Sequence, residues 1–158
     1  MKLLVFSDSH NKTRQMAEIT KQHKHNADHM LFLGDNTEDC ELVAAEFAGL
    51  VHIVAGNCDV WSDYPSELIL ELGGKRIWMQ HGHKYNVKYG YDKIIDGAAK
   101  IKADICLFGH THNPIIFQKN GTLFLNPGSI SEPRGNRGKS YAMIEIINGD
   151  ILAKIIDA

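Results

Sequence analysis

Between Lys2 and Val54, three short apolar runs alternate with two amphipathic ones, and that alternation admits very few folds. Lys2–Phe6, His29–Leu33 and Leu50–Val54 have the length and the apolar, β-branched content of buried strands. Thr13 to about His25 reads as a helix. Met16, Ile19, Thr20 and His23 recur at helical spacing, and Arg14, Glu18, Lys21 and Gln22 cover the opposite side. Glu38–Phe47 is a second helix, with Cys40, Val43, Ala44 and Phe47 as its inward stripe and Gly49 as its stop signal. The order βαβαβ predicts a parallel sheet with right-handed crossovers. In such sheets the functional crevice lies beyond the carboxyl ends of the strands. Asp8, Asp35 and Asn57 stand at those positions. Asp8 and His10 are two residues apart, so on extended backbone both would face one point.

The remainder is less regular. Val60–Pro65 reads as a loop whose aromatics, Trp61 and Tyr64, either pack down on the domain, the slightly favoured reading, or wall a substrate cleft. Glu67–Leu72 and Arg76–Gln80, joined by Gly73-Gly74, predict a hairpin that delivers His81. Val87–Ile101 predicts a helix with Val87, Tyr91, Ile94, Ile95, Ala98 and Ile101 on its apolar face. Asp104–Phe108 is a buried strand that leads into Gly109-His110-Thr111-His112. Short strands follow at Ile115–Gln118 and Thr122–Leu125, then the turn Asn126-Pro127-Gly128-Ser129, then a hairpin of Tyr141–Ile147 and Asp150–Ile156. This second half is expected to form a largely antiparallel or mixed sheet.

The length of 158 residues suits one domain, 1–158. A net charge of -2 argues against a general electrostatic nucleic-acid binder, though not against a nucleotide-sized substrate. The opening apolar run is too short for a signal-peptide core, and no run approaches the roughly 20 apolar residues of a membrane span. Three scattered cysteines argue against a disulfide framework, so a cytoplasmic location is expected. Cys40 and Cys106 read as core. Of the nine histidines, His23, His25, His29 and His52 read as surface or strand-edge residues.

The chemistry concentrates in five stretches, each after an apolar run: Asp8-Ser9-His10, Gly34-Asp35, Gly56-Asn57, His81-Gly82-His83 and His110-Thr111-His112. Divalent Mn, Fe and Zn accept imidazole nitrogen and carboxylate oxygen together. Asp8, His10, Asp35, Asn57, His81, His110 and His112 exceed one tetrahedral site and suit two metals sharing a carboxylate. No pair of cysteines has the spacing of a structural zinc site. Two divalent ions carry four positive charges. Asp8, Asp35 and one bridging hydroxide would remove three of them, leaving about one, which matches a phosphate ester anion. Two metals about 3.5–4 Å apart would also activate a shared water.

Asp8-x-His10, Gly34-Asp35, Gly56-Asn57-x-Asp59, His81-Gly82-His83 and Gly109-His110-x-His112 together resemble the signature of the calcineurin-like metallophosphoesterases. The length and the Asn126–Ser129 turn are similar to the small bacterial and archaeal phosphodiesterase subfamily. The resemblance implies a four-layer α-β-β-α sandwich, with two mixed sheets face to face and helices outside. It implies Asp8, His10 and His112 on a first metal, Asn57, His81 and His110 on a second, and Asp35 bridging. Mn is the usual activating ion, with Fe, Co, Ni or Zn as alternatives. The implied activity is hydrolysis of a small phosphodiester by a metal-bridging hydroxide, with Asp35, Asn57, Cys58 and His81 in catalytic positions and self-association common among compact relatives. Many family members have His at the position of Cys58, where it is thought to protonate the leaving oxygen. A thiol with a pKa of about 8.5 is a poorer acid. Two alternatives are a non-enzymatic interaction scaffold of the same fold and a phosphomonoesterase. A dianionic monoester needs extra positive charge, which Arg134 and Arg137 could supply as substrate-binding residues.

Overall fold

In the computed structural model, which describes residues 1–158, the strand β1 (Lys2–Phe6) occupies the middle of a five-stranded sheet. Its side chains alternate between two apolar environments, as a strand buried on both faces requires. Leu4 and Phe6 join the cluster under the helices α1 (Thr13–His23) and α2 (Thr37–Ala44), with Met16, Ile19, Cys40 and Val43. Leu3 and Val5 point the other way, into a cluster shared with Ile77, Met79, Ile105, Leu107 and Leu125 of a second sheet. Parallel strands β2 (His29–Phe32) and β3 (Leu50–Ile53) complete one side of the first sheet, in the predicted βαβαβ order.

The second sheet runs β4 (Glu67–Leu72), β5 (Lys75–Gln80), β6 (Ile105–Leu107), β8 (Thr122–Asn126) and β7 (Ile115–Lys119) from edge to edge. It is mixed, because β5, β6 and β8 run parallel while β4 and β7 close as hairpins. Helix α3 (Asp92–Ile101) covers its outer face through Ile94 and Ala98, which meet Trp78, Cys106, Phe108 and Phe124. Helix, sheet, sheet and helix therefore form the four expected layers.

Four expectations need correction. Helix α2 ends at Ala44, not Phe47, which is buried beyond the end of the helix. The last hairpin, β9 (Ser140–Ile147) and β10 (Asp150–Asp157), does not extend the second sheet. It pairs antiparallel with β1, on the side away from β2, because the inward residues Ala142, Ile144 and Ile146 complete the core between the sheets. Helix α3 begins at Asp92, not Val87. Residues 83–85 form a short 3-10 turn, Asn86 is left-handed, and Gly90 at φ +150° turns the chain before the helix can start. Trp61 does not pack down: it is 95% exposed, whereas Tyr64 rests against the first cluster. His29 is buried at the start of β2 with its Nδ1 3.0 Å from Nε2 of His52, so that pair is satisfied within the first sheet.

Candidate metal centre

All five predicted stretches meet at one end of the sheets. The ligand atoms of Asp8, His10, Asp35 and His112 form one group, and those of Asp35, His81 and His110 form a second. Within each group the atoms all lie within 4.8 Å of one another, and Asp35 belongs to both.

The local backbone that achieves this is not extended. Asp8, His10, Asp35, His110 and His112 all have left-handed φ, between 45° and 66°. Each such non-glycine residue costs of order 1 kcal/mol, and such strain persists only where surrounding contacts over-determine it. The extended-backbone reason for pairing Asp8 with His10 is therefore wrong, although the two side chains do converge. Gly34 and Gly56 let the loops after β2 and β3 touch. A Cβ on Gly34 would stand 2.5 Å from the Gly56 nitrogen, and one on Gly56 would collide with the Asp35 carboxylate.

The bracing contacts are specific. Asp59 accepts four backbone N–H bonds, from Asp35, Asn36, Thr37 and Gly56, at 2.7–2.8 Å. One carboxylate thus ties the loop of Asp35 to the loop of Asn57. Asp39 does the same for the first loop, accepting from the Ser9 hydroxyl at 2.7 Å and the Asn11 N–H at 2.8 Å. The hydroxyls of Ser129 and Ser131 donate to the Asp8 carbonyl at 2.7 and 3.0 Å. Asn126 donates to the Gly109 carbonyl at 2.7 Å, so the Asn126–Ser129 turn braces two ligand loops at once. Sequence reasoning missed these roles. Asp59 and the turn were visible as motif residues, but nothing in the motif says which backbone groups they hold.

The donor set fits a cation. His81 donates from Nδ1 to the Leu33 carbonyl at 2.7 Å, and His112 donates from Nδ1 to the Glu132 carbonyl at 2.7 Å. Each Nε2 is then left facing the centre, 3.4 Å from Asp35 Oδ1 and 3.2 Å from Asp8 Oδ1 respectively. His10 Nε2 lies 3.2 Å from His112 Nε2, and His110 Nδ1 lies 3.2 Å from His81 Nε2. Asp8 Oδ1 is buried with no hydrogen-bond partner. Lone pairs of nitrogen and carboxylate oxygen crowd together, and only positive charge among them relieves the repulsion. The titration behaviour shows the same demand. Burial alone would depress His81 and His112, but the carboxylates of Asp35 and Asp8 raise both above the ordinary histidine value. Burial would raise Asp8 and Asp35, yet the facing imidazoles hold both carboxyls below the usual range. Burial and the neighbouring His81 push His110 down to about 4, which keeps its imidazole neutral and able to ligate.

The other predicted residues are placed as follows. Asn57 is exposed and its amide donates to the Cys58 sulfur at 3.4 Å, while the Cys58 N–H donates to Asp35 Oδ1 at 2.9 Å. The Cys58 thiol is exposed yet pushed up to about 11 by desolvation and by the Asp35 carboxylate. Arg134 is exposed, donates its N–H to the His112 carbonyl at 3.0 Å, and its charge is felt at the His112 ring. Arg137 is turned to β10, where it pairs with Asp157 at 2.6 Å and with the Ile155 carbonyl. That engagement corrects the expectation that both arginines face a substrate.

The chain matches a model of the calcineurin-like phosphoesterase superfamily domain over residues 1–149. It is 33% identical over 157 residues to a probable metallophosphoesterase, YsnB, of Bacillus subtilis (strain 168), covering 99% of this chain and 91% of that one. It is 32% identical over 119 residues to the phosphodiesterase YfcE of Escherichia coli (strain K12), covering 70% of this chain and 59% of YfcE. A solved structure of a predicted phosphoesterase from Streptococcus pneumoniae TIGR4 superposes with TM-score 0.84 at 31% identity, over 99% of this chain and 88% of the other. Vps29 of Entamoeba histolytica, solved in complex with Zn²⁺, shares the fold at TM-score 0.77 and 22% identity, over 99% of each chain.

Proposed function

This chain belongs to the calcineurin-like phosphoesterase superfamily, and on that premise we propose that residues 1–158 act as one domain, a phosphodiesterase with a binuclear metal centre. The observation that carries the reading is the single carboxylate of Asp35 common to two convergent ligand groups. In this proposal Asp8, His10 and His112 would hold one ion, Asn57, His81 and His110 would hold the other, and Asp35 would be shared between them. The metals, with Mn as the expected ion, would supply Lewis acidity and a water acidic enough to be a nucleophile at neutral pH. The protein supplies the rest. Glu132 and Leu33 fix the ring orientations of His112 and His81, a role that outer partners of metal-bound histidines commonly play. Asp59 and Asp39 hold the loops, and Arg134, whose charge is felt at the His112 ring, is assigned to binding a phosphoryl oxygen.

Diesters are favoured over monoesters. The ligand set would leave little net positive charge, and Arg137 is already engaged by Asp157. The scaffold alternative is disfavoured because every Asp and His of the proposed set points into the centre.

A matrix of metals against substrates tests the reading. With Mn²⁺, bis(p-nitrophenyl) phosphate should be hydrolysed faster than p-nitrophenyl phosphate. Asp35→Ala should lose both ions by elemental analysis and nearly all turnover. Normal metal content in that variant would remove the bridging assignment, and a clear monoester preference would overturn the substrate ranking.

A further inference from the structure

On the side of Cys58, the surface beside the centre opens into a cleft of about 470 Å³. It is lined by the start of α2, residues 36–38 and 41, and by residues 58–64. Trp61 lines it and is 95% exposed, and Val60 beside it is 73% exposed. An indole carries a large apolar area that folding normally covers. Here nothing in the chain covers it, although it borders the space next to the candidate centre. The lining contains no Lys, Arg or His, whereas Glu38, Glu41 and Asp63 all contribute to it. Asp59 also lines the cleft, but its carboxylate is taken up by four backbone N–H groups.

The cations near the centre lie outside this lining. Beyond the first ligand group, Arg134 is close enough to bear on His112, and Lys12 pairs with Glu132 at 2.8 Å. Lys88 bears on His110. The cleft itself therefore offers an anion no cation and presents an indole beside the carboxylates of Glu38 and Asp63.

We propose that this cleft receives one alcohol arm of the phosphodiester and selects an arm that carries an ammonium group, seated on Trp61 and faced by Glu38 and Asp63. Cations are attracted to the π-face of tryptophan, and more strongly where water is displaced. An arm bearing a further phosphate would meet unpaired carboxylates and be rejected by repulsion. The inference rests on the phosphodiesterase reading and adds a substrate class to it.

The test compares p-nitrophenyl phosphorylcholine with p-nitrophenyl 3,3-dimethylbutyl phosphate, which has the same shape and leaving group but lacks the positive charge. The wild-type protein with Mn²⁺ should favour the choline ester about tenfold in kcat/KM, mainly through KM. Trp61→Ala and the double variant Glu38→Gln/Asp63→Asn should bring the ratio toward one. Equal rates for the two esters in the wild type, or a ratio that the variants leave unchanged, would overturn the proposal. Fluorescence gives a readout independent of turnover, because Trp78 is buried and Trp61 is exposed. Glycerophosphorylcholine should change the emission of the wild type but not of Trp61→Phe, and its 3,3-dimethylbutyl counterpart should do so about tenfold more weakly. Hydrolysis of bis(p-nitrophenyl) phosphate without any cation preference would sink the cleft and spare the phosphodiesterase reading. Selective binding of the cation without hydrolysis of any diester would do the reverse.

Discussion

Asp59 touches none of the proposed reacting atoms, yet its carboxylate holds both loops that carry Asp35 and Asn57. An asparagine of the same shape would turn an amide N–H₂ toward donors that need an acceptor. Hydrogen bonds to a charged acceptor are worth about 1.5–3 kcal/mol each, and several would weaken together. Asp59→Asn should therefore lower unfolding free energy by about 3 kcal/mol and loosen the second ion more than the first. Urea titration and metal-binding isotherms would check it. Unchanged stability would mean that the four bonds contribute nothing net. Cys58 poses the opposite problem: its position beside Asn57 is fixed, but a thiol pushed up to about 11 is a poor proton donor. Cys58→His should raise turnover of alkyl diesters more than of nitrophenyl diesters, since general acid catalysis contributes about 10²–10⁴-fold and helps poor leaving groups most. Metal content must be normal in the same sample. Equal factors for both ester types would show that the position does no acid work. The ligand residues themselves were legible as residue types after apolar runs. Their left-handed backbone was not, because Asp and His report that conformation far less openly than glycine does.

At the scale of elements, the loops after β2 and β3 are held in contact by the absence of two side chains. Gly34 has φ +93°, and its added Cβ would stand 2.8 Å from the Gly56 Cα. Gly34→Ala should cost more than about 1 kcal/mol from backbone conformation alone, and displacement of the neighbouring loop should abolish binding of the second ion. Thermal unfolding and elemental analysis would check both effects, and a folded variant with full metal content would refute the close-packing account. The strands and the bodies of the first two helices could be read from periodicity because each buries a regular face, although the burial of Phe47 falsely extended the second past Ala44. The start of α3 could not. Val87 is buried as the helical pattern demands, but it gets there from a turn after the left-handed Asn86. The partner of the last hairpin was also illegible, since alternation shows which face of a strand is buried but not which strand lies beside it.

For the molecule as a whole, the centre sets strained loops and converging lone pairs against the two-sided core. Each ion bound only by the folded state would add about 2.7 kcal/mol at a hundredfold excess over Kd. Removing both with a chelator should lower Tm by about 10–20 °C for a chain of this size, and Mn²⁺ should restore it. No shift on chelation would mean that the centre holds no ion under those conditions. The pairing of β1 with β9 also has a consequence in time. A ribosome completes β1, β2 and β3 early, and these can associate as soon as they emerge. The other edge of β1 has to wait for its partner, since Leu4 aligns with Met143. Ser129, which holds the Asp8 carbonyl, follows it by 121 residues. At about 5–20 residues per second, the nascent sheet exposes an open apolar edge for roughly ten seconds, a period when holding by a chaperone would matter most. The loop that presents Asp8 so early in synthesis therefore stays without its two hydroxyl braces until residues 129 and 131 have been made.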